Sequence, residues 1–518
     1  MPGAVPLLHD LLTDTARRLP AKEALTHRKS RVSYREMDAR SNALAHALEA
    51  RGVRRGDRVI VFADNTVEAA VSFWGVLKAN AVVSVVNPLT KADKLAWLLN
   101  DCRARALITD GHLTPAWAEA ARKSPHLGCV IVSGALDAER CRGLPGLCSW
   151  DEALAGGERS LAPRRACIDI DLAALIYTSG STGDPKGVML THRNMLTAAA
   201  SISEYLDLRE DDVVLGVLPL AFDYGLYQMI LSFRQGARLV LERSFTYPAQ
   251  VLSQVVEEGV TFFPGVPTIF AILAELKTLG SFDFSRIRAV TNTAAALPVK
   301  HITALGRIFP RARIFSMYGL TECKRCTYLP PQDLARKPDS VGIAIPNTEL
   351  WIVDENDARA GPGVVGQLVI RGATVMKGYW EKPEETAKKL RPGPLPGEQV
   401  LYTGDLCRLD EEGYLYFVGR MDDIIKSRGE KVAPKEVEAA RYVIAGVKEA
   451  AVIGVPDEIL GQAVKAFVVL EQGATLTAAD VQRECQKRLE NFMVPKFVEL
   501  LPELPKTTSG KIKKTGLA

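Results

Sequence analysis

The chain has 518 residues, 47% hydrophobic and 24% charged, an ordinary globular balance with room for two or more domains. Sixty-five basic against 61 acidic side chains leave a formal charge of +4, too small for the electrostatic footprint of a nucleic-acid binder of this size. The longest apolar runs, such as AVVSVV at Ala81 to Val86, fall short of the about 20 residues a membrane helix needs, so neither nucleic acid nor membrane is an expected partner.

The first twenty residues, MPGAVPLLHDLLTDTARRLP, carry Asp10 and Asp14 and have no basic start before an apolar stretch. They read as an amphipathic helix, not as a secretory signal or transit peptide. Ser33 and Glu36 form a capping-box signature, with Leu44, Ala45 and Leu48 on the buried face of the helix that follows. Gly52 and Gly56 end that helix before a strand at Arg58 to Ala63. The alternation then repeats: helix near Ala69 to Leu77, strand near Ala81 to Val86, helix near Lys91 to Asn100, strand near Ala106 to Thr109. Helices alternating with short β-branched strands predict an α/β domain of layered, largely parallel sheets.

After about residue 340 the texture changes. In TELWIVDENDARAGPGVVGQLVIRG two β-rich runs flank DEND and a Gly-Pro-Gly turn, which predicts an antiparallel, barrel-like subdomain to about residue 420. From Met421 a small α+β unit follows: a helix near Pro434 to Ala445, strands near Glu449 to Val455 and Lys465 to Leu470, and a helix near Ala478 to Leu489. The expected domains are 1–420 and 421–518. Nine cysteines are scattered along the chain, odd in number and without a disulfide framework, which fits a reducing cytoplasm. Cys323 and Cys326 form one C-x-x-C, yet no second pair completes a zinc set, and two incidental thiols are expected.

YTSGSTGDPKG, Tyr177 to Gly187, follows a strand at about Ala173 to Thr178. Thr178, Ser179, Ser181 and Thr182 therefore emerge at a strand's carboxyl end, where α/β sheets bind ligands. Gly180 and Gly183 let main-chain N–H groups approach an anion closely, and Lys186 adds a full positive charge. The order differs from a P-loop, in which lysine directly follows the last glycine and a helix begins. Here Pro185 precedes Lys186, and Val188-Met189-Leu190 reads as another strand, so a strand-to-strand turn over phosphates is expected. A Gly/Ser linker is the plainer alternative, though a linker needs no apolar strand on each side.

YTSGSTGDPKGVMLTHRN resembles the signature loop of the adenylate-forming superfamily: acyl- and aryl-CoA synthetases, peptide-synthetase adenylation domains and luciferases. MYGLTE (Met317 to Glu322), GQLVIRG (Gly366 to Gly372), MKGYW (Met376 to Trp380), YTGDL (Tyr402 to Leu406), GRMDDIIKSRGEKVAPKEVE (Gly419 to Glu438) and LPKTTSGKIKK (Leu504 to Lys514) follow in the family's order. The resemblance covers residues from about 10 to the C-terminus and is strongest to the AMP-forming acid–CoA ligases.

That resemblance implies a carboxylate attacking the α-phosphate of ATP, a reaction that gathers negative charge and depends on positioning and on cations. The glycine loop and Lys186 would grip the β- and γ-phosphates, Thr321 the α-phosphate, and Glu322 a Mg²⁺ ion, a hard cation that prefers oxygen ligands. Tyr318 and Gly319 would lie against the adenine, with Ala295 and Ala296 leaving room; a buried core tyrosine is the plainer reading of Tyr318. Asp405 would accept hydrogen bonds from the ribose hydroxyls, assisted by Arg420. Lys511, on the small domain, would attend the breaking bond, its charge favouring the transition state over the ground state. Lys506, Lys513 and Lys514 read as a solvated tail. After adenylation the small domain would turn about a hinge at Asp422 and present Lys426, Ser427, Arg428 and Gly429 to the thiol.

The same resemblance places the acid pocket at PLAFDYG, Pro219 to Gly225, with Phe222, Asp223, Tyr227, Gly265 and Met317. Many CoA ligases have histidine where Phe222 stands, a departure from a simple fatty acyl synthetase. Asp223 amid apolar neighbours is costly to bury unpaired; it either meets a substrate amine, as in amino-acid-activating domains, or caps a helix beginning at Tyr224. An aromatic, amino-bearing acid such as an aminobenzoate is the expected substrate. The expected co-substrates are ATP and CoA, with Mg²⁺, in a monomeric or homodimeric enzyme. The rivals are a free-standing ligase that loads a carrier protein's phosphopantetheine and, less favoured, an inactive nucleotide-binding regulator.

Overall fold

The structure, a computed structural model, describes residues 6–156, 159–179, 185–293, 297, 299–421, 425–432, 434–439, 444–505 and 517. Two large mixed sheets form its centre. In one, the strands Val82–Val86, Arg58–Phe62, Ala106–Asp110, Cys129–Ser133 and Leu147–Ser149 run parallel, and Leu172–Ser179 adds beside Val82–Val86. The other has a parallel centre from Glu23–His27 through Arg238–Leu241, Val213–Gly216, Phe262–Gly265 and Ala289–Asn292 to Arg313–Tyr318, with antiparallel strands at both edges.

Strands buried on both faces need unbroken apolar runs, and RVIVF and VVSVV supply them. Successive side chains then enter different cores. Val59 and Val61 join the central core shared with the second sheet, while Ile60 and Phe62 face Leu95, Leu99 and Trp117 on the outer helices. The helix Tyr34–Ala50 starts on the expected capping box, Ser33 with Glu36. Its neighbour Val67–Lys78 buries Lys78, whose ammonium donates to Asp38 and Asn42. A buried cation survives only when paired in this way.

The late strands form a curled antiparallel sheet. Thr348–Val353 pairs with Gly366–Gly372, and Gln399–Leu409 pairs with Gly366–Gly372, Leu390–Pro392 and Leu415–Arg420. Irregularities in register at Gln367/Val369 and Leu406/Cys407 bend it, as bulges do. The last sheet, Glu430–Val432, Ile425–Ser427, Gly461–Leu470, Val447–Asp457 and Phe497–Leu500, has its own core with the helix Ala478–Gln486. Among the described residues no helix is long and apolar enough to cross a membrane.

Candidate active site

A cleft open to solvent at its mouth lies at the carboxyl ends of the parallel strands. Val86 and Asn87, Tyr177 and Thr178, Thr293, and Gly319 to Thr321 each follow or end a strand and line it. This is the place where backbone groups and side chains of separate strands converge on a ligand. Asp405 of the curled sheet and Lys426, Gly429, Glu430 and Glu490 of the small C-terminal unit close the other side.

The glycine loop joins an antiparallel hairpin of Leu172–Ser179 and Pro185–Thr191, with Thr178 opposite Lys186 and Ser179 opposite Pro185. The strand-to-strand turn is therefore as expected. Gly180, Ser181, Thr182 and Gly183 lie outside the described residues, and at Ser179 the backbone alone is described. Thr178 lines the cleft; Lys186 does not. Its ammonium is paired with Glu385 of the helix Pro383–Lys389, and this contact, with one from Lys388, holds the Glu385 carboxyl down at about 2.

After Arg313–Tyr318 the chain folds back on itself. Cys326 N–H donates to the Tyr318 carbonyl at 2.9 Å, and Cys323 N–H to that of Leu320 at 3.2 Å. The turn needs Gly319, because a Cβ there would stand 1.9 Å from the Lys324 carbonyl oxygen. Lys324 itself has φ 67°, uncommon for a residue with a side chain. Cys323 and Cys326 are buried free thiols with sulfurs 3.1 Å apart. The loop presents Thr321 to the cleft, while the Tyr379 hydroxyl donates to Glu322 Oε1 at 2.9 Å.

Tyr318 is buried and does not line the cleft; its hydroxyl donates to Asp405 Oδ2 at 2.5 Å. Burial and the adjacent carboxylate push the phenol well above its ordinary value. The tyrosine thus orients the carboxylate expected to meet the ribose. Asp405 faces Arg420 across the ladder; at Arg420 the backbone alone is described, and Ala295 and Ala296 lie outside the described residues.

The residues expected in the acid pocket divide between cleft and core. Phe222 and Asp223 line the cleft; Tyr227, Gly265 and Met317 do not. Tyr227 is wholly buried, its hydroxyl donating to the Met195 carbonyl at 3.3 Å. The Phe270 ring covers Gly265, and Met317 Sδ accepts from the Tyr205 hydroxyl at 2.9 Å. The helix begins at Asp223, not Tyr224, and its cap position, Phe222, makes no side-chain cap bond. Asp223 is no cap: Lys324 Nζ donates to its Oδ1 at 2.6 Å, and the Lys324 side chain is fully buried. Tyr224, in the expected PLAFDYG stretch, does line the cleft, and beside it stand two residues that the sequence reading did not place there, Lys324 and Arg325. The two adjacent cations inside TECKRC were the signal that could have revealed them.

In the small unit Lys426 and Gly429 line the cleft, whereas Ser427 is buried and Arg428 exposed. A Cβ on Gly429, at φ +78°, would stand 3.3 Å from Val266 of the large unit, so glycine permits close approach there. Asp422 and Lys511 lie outside the described residues. The units are joined by Lys94, whose ammonium lies 2.8 Å from Glu436 and 3.0 Å from Glu490. Beside this pair Glu430 is desolvated and faces Glu490, which pushes its carboxyl up to about 7.

Released into water, Glu430 would return towards about 4.3, so docking takes up a proton between those values. The favourable contribution is complete below the released value and is lost as pH rises through about 7. Small-angle scattering should thus show a more compact protein at pH 6 than at pH 8. Glu430→Gln should flatten that dependence; an unchanged dependence in the variant would rule Glu430 out as its source.

Comparison with known proteins agrees with this geometry. The AMP-binding enzyme family matches residues 12–380 and its C-terminal domain residues 436–511. A long-chain-fatty-acid–CoA ligase of Bacillus subtilis (strain 168) is 33% identical over 542 residues, covering 99% of this chain and 95% of its own. The o-succinylbenzoate CoA synthetase MenE of Bacillus subtilis, solved as a double mutant with a product analogue, superposes with a TM-score of 0.83 at 25% identity, covering 98% of each chain. The anthranilate CoA ligase AuaEII, solved with anthranoyl-AMP, superposes with a TM-score of 0.76 at 28% identity, covering 99% of this chain and 97% of its own. With the α/β fold, the strand-end cleft and both family segments in place, the chain belongs to the AMP-binding, adenylate-forming enzymes, as an AMP-forming acyl-CoA synthetase.

Proposed function

We propose that this enzyme joins a carboxylic acid of aromatic or comparable apolar bulk to CoA in two steps within the one cleft. The observation that carries the reading is the convergence of Thr178, Thr321 and Asp405 with an aromatic wall, Phe222 and Tyr224, and with Lys426 and Gly429 of the small unit. First, a carboxylate oxygen attacks the α-phosphorus of ATP and pyrophosphate leaves; then the CoA sulfur attacks the acyl carbon and AMP leaves. Thr178 and the glycine loop hold the departing phosphates, and Lys186 exchanges Glu385 for them. Thr321 bonds the α-phosphate, and Asp405, oriented by Tyr318, the ribose. Glu322, with one oxygen already oriented by Tyr379, suits a hard cation; Mg²⁺ held there would offset phosphate charge. Lys511 attends the first step, and the Lys426 to Gly429 face the second, the small domain turning at Asp422 between them.

A second reading of the acid, an amino-bearing aromatic such as an aminobenzoate, is supported by Asp223 at the cleft wall and by the likeness to AuaEII. It ranks behind because Asp223 already carries a salt bridge to Lys324, so an amine would share an occupied carboxylate. Under that reading Asp223→Asn raises KM about tenfold or more for aminobenzoates only, the loss of one charge-assisted hydrogen bond; an equal loss for benzoate contradicts it. Incubation with CoA alone, without carrier protein, separates CoA from a phosphopantetheine-bearing carrier as the acceptor: thioester formation with AMP release supports CoA.

A further inference from the structure

Three charged side chains meet where the cleft runs along the first turn of the helix Asp223–Gln235: Asp223, Lys324 and Arg325. Lys324 and Asp223 satisfy each other at 2.6 Å. Arg325 is different. It is 3% exposed, its Nε is buried without a hydrogen-bond partner, and among the described residues no carboxylate pairs with it. Its guanidinium lies over the Tyr224 ring at 4.5 Å from the centroid. That ring is fixed in turn, since the Tyr224 hydroxyl donates to the Thr291 carbonyl at 2.8 Å.

A guanidinium does not shed its proton, and a buried charge without a counter-charge is strongly unfavourable. A face of tyrosine compensates only in part. Among the described residues the cleft lining at this turn holds two cations and one carboxylate, so an anion entering there would meet a positive charge that no carboxylate pairs. Burial lowers the Lys324 ammonium from its ordinary value, and an incoming anion would also steady that charge. The amine reading meets the opposite situation, because among the described residues the carboxylate at this turn, Asp223, is already engaged by Lys324. Arg325 rests on Tyr224 of the PLAFDYG turn, the acid side of the cleft, so the reacting carboxylate and the ATP phosphates are not its natural partners.

We propose that Arg325, with Lys324 behind it, forms an anion subsite in the acid pocket that binds a second carboxylate on the substrate, so that the enzyme activates one carboxylate of a dicarboxylic acid and holds the other. This inference rests on the ligase reading above and specifies its substrate class. A buried donor set of this kind discriminates strongly, because an acid without the second anion leaves the guanidinium unpaired.

Acid-dependent pyrophosphate release is the test, with two matched series: benzoate against its three carboxybenzoates (phthalate, isophthalate and terephthalate), and hexanoate against hexanedioate. The wild-type enzyme should favour at least one diacid over its monoacid by about 10- to 100-fold in kcat/KM, the range of a charge-assisted hydrogen bond. Arg325→Met should remove or invert that preference while keeping monoacid turnover, and Arg325→Lys should restore part of it, with thermal melting used to confirm that both variants are folded. Wild-type turnover confined to monoacids overturns the subsite by itself, without any variant. So does an equal loss for monoacids and diacids in Arg325→Met, which would put Arg325 on the reacting carboxylate or the phosphates. Pyrophosphate release from no acid in either series would instead contradict the ligase reading, and this inference with it.

Discussion

Lys511→Ala is expected to reduce acid-dependent pyrophosphate release by about 100-fold or more, the scale of losing one charge aimed at a developing oxyanion. The same variant, given preformed acyl-adenylate and CoA, is expected to make thioester at near wild-type rate. The asymmetry follows from the roles proposed for the two sets of residues. The C-terminal unit turns Lys426 and Gly429, assigned to the thiol step, toward the cleft, with Gly429 close against Val266, whereas Lys511 is assigned to adenylation alone. Single-turnover measurements of the two half-reactions decide the matter. Equal loss of both steps would contradict the division of labour between the two faces.

The second large effect is expected at a residue with no chemistry of its own. Gly319→Ala forces a Cβ to within 1.9 Å of the Lys324 carbonyl oxygen and 2.9 Å of the Arg325 Cα. Both neighbours are backbone, so no rotamer change relieves the clash. The turn must open, drawing Thr321 out of the cleft and Lys324 away from Asp223. Denaturant unfolding should show a loss of about 3 kcal/mol, the upper range of overpacking in a filled interior. Pyrophosphate release should fall about 100-fold, as for a displacement of about 1 Å in a reacting geometry. Wild-type values for both would mean that the turn is looser than its hydrogen bonds imply.

The layered α/β architecture was legible because its signals are local. RVIVF and VVSVV are apolar on both faces, and only a strand covered on both sides tolerates that. Ser33 with Glu36 announced a helix start that the structure keeps. The hairpin at the glycine loop followed from Pro185 and from a second β-rich run where a P-loop would have a helix. The acid pocket was less legible because its composition depends on pairs distant in sequence. Met317 and Tyr227 lie in the expected elements, yet each faces a core and is satisfied there, by Tyr205 and by the Met195 carbonyl. The Asp223–Lys324 pair spans 101 positions, so the sequence offered a helix cap or a substrate amine for Asp223, and the cations of TECKRC hinted at a charged wall without showing which carboxylate they meet. Likewise Tyr318 gave its motif but not its direction, which depends on a strand of another sheet, Gln399–Leu409, placing Asp405 within reach of its hydroxyl.

The proposed coupling, within one cleft, of ATP cleavage at its α-phosphate to thioester formation from a free acid is decided by quantifying all nucleotide and acyl products after incubation with ATP, Mg²⁺, CoA and the acid panel. AMP, pyrophosphate and acyl-CoA should form in equal amounts, with pyrophosphate release requiring the acid and AMP release accelerated by CoA; formation of ADP and orthophosphate, or pyrophosphate release indifferent to the acid, would contradict that coupling.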